Sequence, residues 1–204
     1  MAGRSIAGPI DDLGPELVID DGTLARTDSP FPGPIGLQAN AGSGKTGAAL
    51  GEQVVSFARG KIGQRVGQGE CFDLADQALR SAGAKSAADF GSVAKDADYV
   101  WGSSVSLSDA RPGDIIQFRD YRYDRTIDTA TRTDTDSQER PHHTAIVERV
   151  EGNGAITVLE QNAPDGSPGQ RSQLFFSDVS TTSGGKKTTI KVQGKFRFYR
   201  PQPR

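Results

Sequence analysis

The chain carries one cysteine and two adjacent histidines. Cys71 stands in Gly-Glu-Cys-Phe-Asp-Leu, and His143 opens the run His-Thr-Ala-Ile-Val-Glu-Arg-Val-Glu-Gly-Asn-Gly-Ala-Ile-Thr-Val-Leu-Glu-Gln-Asn, which closes on Glu160 and Asn162. A thiol becomes a nucleophile when a base takes its proton, and the base works when a third polar group fixes its orientation. Cys71, His143, Glu160 and Asn162 supply those residue types. The chemistry they could perform is attack of a thiolate on the carbonyl of an amide. Position alone leaves Cys71 open to the ordinary fate of an isolated cysteine, a small buried hydrophobe.

The elements around these residues decide whether they can meet. Two β-branched, alternating runs join at Gly152-Asn153-Gly154, the composition of a tight antiparallel turn. If Gly152-Asn153 is the two-residue loop, His143 faces Asn162 and Ala145 faces Glu160; if Asn153-Gly154 is the loop, partners shift by two and the parity holds. In both registers His143, Glu160 and Asn162 project from one face, and His142 from the other. Cys71 falls in the first turn of a helix expected over Cys71 to Ala82, where unpaired N–H groups and the helix dipole favour the thiolate. Gly83 is placed to cap that helix.

An earlier helix is expected from Gly47, with Leu50, Val54, Phe57 and Ala58 at helical spacing and Gly47 and Gly51 weakening it. Pro112-Gly113 turns the chain into a strand, Asp114 to Phe118. Residues 119–141 are polar, mix Arg, Asp and Thr, and read as a long surface loop. Strands follow at 173–176, 188–192 and 195–200, the first separated from the others by a Ser/Thr/Gly/Lys-rich loop. Helices first and antiparallel strands afterwards define an α+β domain over 47–204. Residues 1–46 are rich in Gly, Pro and Asp and read as a flexible arm.

A net charge of -2 and 34% apolar residues give no overall basic field for nucleic acid. One cysteine and two adjacent histidines make no tetrahedral zinc set, and neither metal nor cofactor is expected. No run approaches membrane-spanning length. The first residues lack the apolar core of a secretory signal, so the expectation is a chain that is cytoplasmic as synthesised, with export by another route open. Ala39 to Thr46 satisfies a loose phosphate-binding loop pattern, but the proline-broken stretch before it denies it the buried strand that such a loop needs. The lysines and arginines at 186, 187, 191, 195, 197 and 200 read as a solvated face that discourages edge pairing.

Cys-x-Asp-Leu opening a helix, Pro-Gly-Asp-Ile-Ile-x-Phe, His-Thr-Ala-Ile-Val and Val-Leu-Glu-Gln-Asn, in that order, resemble the CHAP group of papain-like amidases and peptidases, and the related NlpC group. The resemblance spans roughly Ala49 to Pro201. It implies a papain-like fold with N-terminal helices packed on an antiparallel sheet, Cys71 as nucleophile, His143 as base, Glu160 as third member and Asn162 as further support. The implied substrate is a peptide or peptidoglycan amide bond. Gly-Glu-Cys-x-Asp-Leu-Ala, Pro-Gly-Asp-Ile-Ile-Gln-Phe-Arg and His-His-Thr-Ala-Ile-Val resemble still more the cysteine-protease-fold C-terminal domain of fungal myosin-interacting proteins of the actin patch. That likeness implies a protein-binding module without assured turnover. CHAP enzymes commonly carry Gln before the cysteine; here it is Glu70, whose negative charge would oppose thiol ionisation.

Overall fold

The computed structural model describes residues 47–94 and 96–204. The arm expected over 1–46, and with it Ala39 to Thr46, lies outside the described residues. Helix α1 (Gly47–Arg59) buries Leu50, Val54, Val55 and Ala58, one stripe of a 3.6-residue period. Gly51 is there for contact: a Cβ on it would stand 2.6 Å from the Pro112 carbonyl oxygen, and its opposite number, Gly113, takes φ +90. The pair lets α1 lie directly on the turn that starts the second strand. Helix α2 (Cys71–Ala82) buries Leu74, Ala75, Ala78, Leu79 and Ala82, and stops at Gly83, whose φ of 79 places it in the left-handed region.

Seven strands follow: β1 (Ser103–Val105), β2 (Ile115–Asp128), β3 (Thr133–Val150), β4 (Ala155–Glu160), β5 (Gln170–Phe175), β6 (Val179–Ser183) and β7 (Lys186–Arg200). They form one antiparallel sheet in the order β1-β7-β2-β3-β4-β5, with β6 on the outer half of β7. Two helices on a large antiparallel sheet make the domain α+β.

Neighbouring residues on each strand go to opposite faces. Ile115, Ile146, Leu159 and Tyr199 meet the helices, with Leu50, Leu74, Leu79 and Trp101. Ile116, Ala145, Val158 and Phe198 turn the other way and gather with Phe118, Tyr121, Leu174 and Phe176. The sheet covers that second face by curling on itself. Phe176, just past β5, packs 5.1 Å from Phe196 and 5.2 Å from Phe198 of β7, although three strands separate β5 from β7. The Tyr121 hydroxyl donates to the Phe175 carbonyl at 2.5 Å, closing the curl.

Residues 119–141 correct the sequence expectation. They are no loop: β2 and β3 pair without interruption from Arg122↔Glu139 to Asp128↔Thr133, and β7 flanks β2 over the same span. Arg, Asp and Thr recur there because, beyond the buried Tyr121, Tyr123 and Arg140, no residue of β2 or β3 in the ribbon is buried, as the Arg125–Asp136 pair at 2.6 Å illustrates. The Ser/Thr-rich segment likewise contains β6, and the two strands expected over 188–192 and 195–200 are one, β7.

The ribbon is creased at its base. Between Arg119 and Arg122 the register of β2 against β7 slips by one residue, and Asp120 takes φ +53. Gly194 of β7 lies against it, where a Cβ would stand 2.0 Å from the Asp120 carbonyl oxygen. Opposite Asp120 on β3 is Pro141, which has no N–H to give a ladder. One residue is thereby inserted in each strand of the hairpin, so the face on which side chains lie reverses: Phe118 and Tyr121, three apart, both join the inner cluster.

Candidate active site

The loop before α2 is anchored from outside. Gly63 donates to the Gly169 carbonyl at 2.7 Å, and Gly169 to that of Gln64 at 2.8 Å. The buried amide of Gln161 accepts from Val66 N–H at 3.0 Å and donates to the carbonyls of Val66 at 3.0 Å and Glu70 at 2.6 Å. Asp73, inside the first turn of α2, accepts from the main-chain N–H groups of Gln68 and Glu70. These bonds fix where the first helical residue, Cys71, points its thiol.

His143 comes from β3 and is 4% exposed. Its Nε2 meets Glu160 Oε2 at 3.0 Å, and the ring also shares a hydrogen bond with Cys71. The main chain beneath it is held by Gln117, whose Nε2 donates to the His143 carbonyl while its Oε1 accepts from Trp101 and Thr144, each at 3.2 Å. Thr144 in turn makes a main-chain hydrogen bond to Cys71.

The charges are strongly coupled. Burial pushes the Cys71 thiol up, but the hydrogen bond and charge of His143, with main-chain bonds from Thr144 and Phe72, outweigh it and hold the thiol below its ordinary value. Burial pushes His143 down, and Cys71 and Glu160 together lift it to about 9. Glu160, fully buried, is held down to about 2 by His143 and Arg140 against the opposing effect of burial. The lowered thiol and the raised imidazole both favour passage of the thiol proton to His143.

Arg140 was not among the candidates read from the sequence. Its Nε reaches Glu160 Oε2 at 2.9 Å and its Nη2 reaches Oε1 at 2.5 Å, both groups being buried. Strand parity places residue 140 on the face opposite residue 143; the insertion at Pro141 returns it to the same face. Proline inside an alternating run was the signal available.

Of the four sequence candidates, Cys71, His143 and Glu160 come together and Asn162 does not. The hairpin carries a bulge between Val147 and Arg149 and turns through residues 151–154, a longer loop than the two residues expected. Near the site the register still matches the first reading, with Ile146 opposite Leu159. But β4 ends at Glu160, and Asn162, at φ +63, has left the ladder. Its Nδ2 donates to Glu70 Oε2 at 3.2 Å and its Oδ1 accepts from Gly166 N–H at 2.6 Å, so it shapes the rim. His142 does point away from His143, with Nε2 2.9 Å from the Ala97 carbonyl oxygen.

Cys71 and His143 open on a cleft of about 1210 Å3 whose walls include Glu70, Tyr99, residues 138–142 of β3 and the segment 162–165. Among the described residues no group of His, Cys, Asp and Glu is arranged to hold a metal ion, and no helix is long and apolar enough to cross a membrane.

A family model described as the AIM3/BBC1 cysteine proteinase-fold domain matches residues 45–180, which include both helices, the first five strands and every residue of the Cys71 site. The chain is 28% identical over 166 residues to a Debaryomyces hansenii protein, altered inheritance of mitochondria protein 3. The match takes in 76% of this chain and 16% of the relative, so the chain spans about a sixth of the relative's length. No solved structure matches.

Proposed function

Because the chain belongs to the AIM3/BBC1 cysteine proteinase-fold domain family, we propose that residues 47–204 act as a protein-binding module whose cleft seats an extended peptide segment beside Cys71, with amide turnover slow or lacking. Glu70 carries this reading. A carbonyl attacked by Cys71 must develop its negative oxygen near the N–H groups that open α2, the place where preorganised donors contribute most to acyl transfer. Glu70 is the N-terminal cap of that helix, its side chain lines the cleft, and it accepts from Asn162. A carboxylate there opposes the oxyanion where an amide would stabilise it. The likeness to the actin-patch domain supports the same reading.

A second reading, a thiol amidase or peptidase of CHAP or NlpC type acting on peptide or peptidoglycan bonds, is favoured by one observation: the Cys71–His143–Glu160 line is complete, with the thiol already below its ordinary pKa. On that reading Cys71 Sγ attacks the carbonyl, the Cys71 N–H helps to hold the oxyanion, imidazolium gives its proton to the leaving amine, and water assisted by neutral His143 releases the acyl group.

Hydrolysis of quenched peptide and muropeptide mixtures by the natural protein, Cys71→Ala and Glu70→Gln separates the two. The binding-module reading expects no Cys71-dependent turnover in the natural protein and a gain of about tenfold or more over background in Glu70→Gln. Cys71-dependent multiple turnover by the natural protein would establish the amidase instead.

A further inference from the structure

The charges facing the cleft specify its occupant, and this inference rests on the reading of the cleft as a peptide seat. We infer that the cleft selects a cationic, extended peptide segment, its Lys or Arg side chains set against Asp96, Glu139 and Asp165, with Glu70 adding to the same field.

Four carboxylates line the cleft: Glu70, Asp96, Glu139 and Asp165. The cationic or ionisable nitrogens that line it are committed elsewhere. Arg140 gives its donors to Glu160, to the Glu139 carbonyl and to Gln138. His143 lies between Cys71 and Glu160, and His142 Nε2 is at the Ala97 carbonyl. Glu139 has Arg122 at 3.6 Å, but that guanidinium is held closer, at 2.6 Å, by Asp124. Glu70 accepts from a neutral amide, and among the described residues no cation is within ion-pair distance of the Asp96 or Asp165 side chains. Whole-chain composition does not explain this, because 26 acidic and 24 basic residues nearly balance. A concave wall of one sign concentrates the opposite charge.

Shape supports an extended chain. At about 1210 Å3 the cleft exceeds the ~300–1000 Å3 typical of small-molecule pockets. One wall is β3 at residues 138–142, where β2 pairs on one side and β4 begins pairing on the other only at Ile146. A polypeptide in β conformation is the ligand that such an edge accepts.

Protection of Cys71 tests the inference on the full chain. Peptides of about ten residues alternating Lys-Ala, Ser-Ala or Glu-Ala compete with iodoacetamide, and modified Cys71 is quantified by mass spectrometry. The Lys-Ala peptide is expected to slow labelling tenfold or more at saturation, the Glu-Ala peptide not at all. Its apparent affinity should fall at least tenfold in Asp96→Asn/Glu139→Gln/Asp165→Asn and, independently of any variant, in ~0.5 M salt. The variant's melting temperature and circular dichroism verify its fold. Equal protection by all three peptides, or an unchanged affinity in the triple variant, overturns charge selection while the peptide seat stands. Protection by none of them overturns the seat itself and the inference with it.

Discussion

Glu148 and Glu160 are carboxylates withdrawn from water on adjacent strands, 5% and 0% exposed, and they are held in different ways. Glu148 is gripped by Arg59 of α1 at 2.5 Å and Arg171 of β5 at 2.7 Å, each guanidinium being 53% exposed. Glu160 is gripped by Arg140 and His143, whose side chains are 8% and 5% exposed. Glu148 ties a helix to two strands while solvent continues to share the charge. Glu160 has no such help, so its charge is balanced inside the protein and coupled to the thiol. Access of water to the partners, more than burial of the carboxylate, separates a structural clasp from a reactive centre.

The largest test of that contrast removes Arg140. Arg140→Met leaves a sealed carboxylate with one partner and is expected to cost about 3–5 kcal/mol in urea unfolding, with most of the loss recovered when Glu160→Gln is added. A cost for the single change as small as that of a surface pair would make the two carboxylates equivalent. The pH dependence has a definite sign. Glu160 is depressed from 4.5 to about 2, so its contribution is complete above 4.5 and disappears as pH falls through 2. His143 is raised from 6.5 to about 9, so its contribution is complete below 6.5 and disappears as pH rises through 9. Glu160→Gln should flatten the acid limb of a stability titration, and His143→Ala the alkaline limb.

Next in size is thiol reactivity. Because His143 lowers the pKa of Cys71, iodoacetamide should label the protein appreciably near pH 6, and His143→Ala should slow that labelling about tenfold, the equivalent of ~1.4 kcal/mol. Labelling that rises only near the free-thiol pKa, indifferent to His143, would detach the cysteine from the network. Smaller again is Glu148→Gln, expected to cost ~1 kcal/mol by thermal melting and to lose that effect in high salt, because its partners face solvent. The smallest effect belongs to Arg125 and Asp136 on the ribbon, a pair 33% and 42% exposed. A double-mutant cycle there should give ~0.2–1 kcal/mol of coupling.

The same contrast explains what could be read from the chain. Cys71 at a helix start, Gly83 as its cap and the shared face of His143 and Glu160 follow from local periods, which remain intact between Ala145 and Val147 and between Val158 and Glu160. Arg140 was hidden because it fell in the span 119–141 read as a loop, and strand parity carried through Pro141 would have put it on the wrong face. Asn162 was misplaced because a ladder was extrapolated past its last paired residue. The ribbon over 119–141 gave little apolar alternation, since beyond Tyr121 and Tyr123 none of its apolar or β-branched side chains is buried. Glu148 was not singled out in the sequence; its partners are 89 and 23 residues away in the chain, and only the assembled fold brings them to it.

The crease at Asp120 and Pro141 has a consequence for how the hairpin can vary. Glu160, which holds both His143 and Arg140, lies on the inner side of the crease, and the outermost contacts of Arg140 are with Glu139 and Gln138 just beyond it; the rest of the ribbon is held by its own ladder and by β7. Removing two residues from each strand of the outer ribbon, or grafting a different tip onto it, preserves the facing of every inner residue. Deleting Asp120 and Pro141 would keep the hairpin's pairing yet turn Arg140 away from Glu160. The molecule therefore tolerates large changes of length at one end of a continuous hairpin and almost none at two residues in its middle, and a library of ribbon lengths built outward from Tyr123 and Gln138 should retain the reactive thiol throughout.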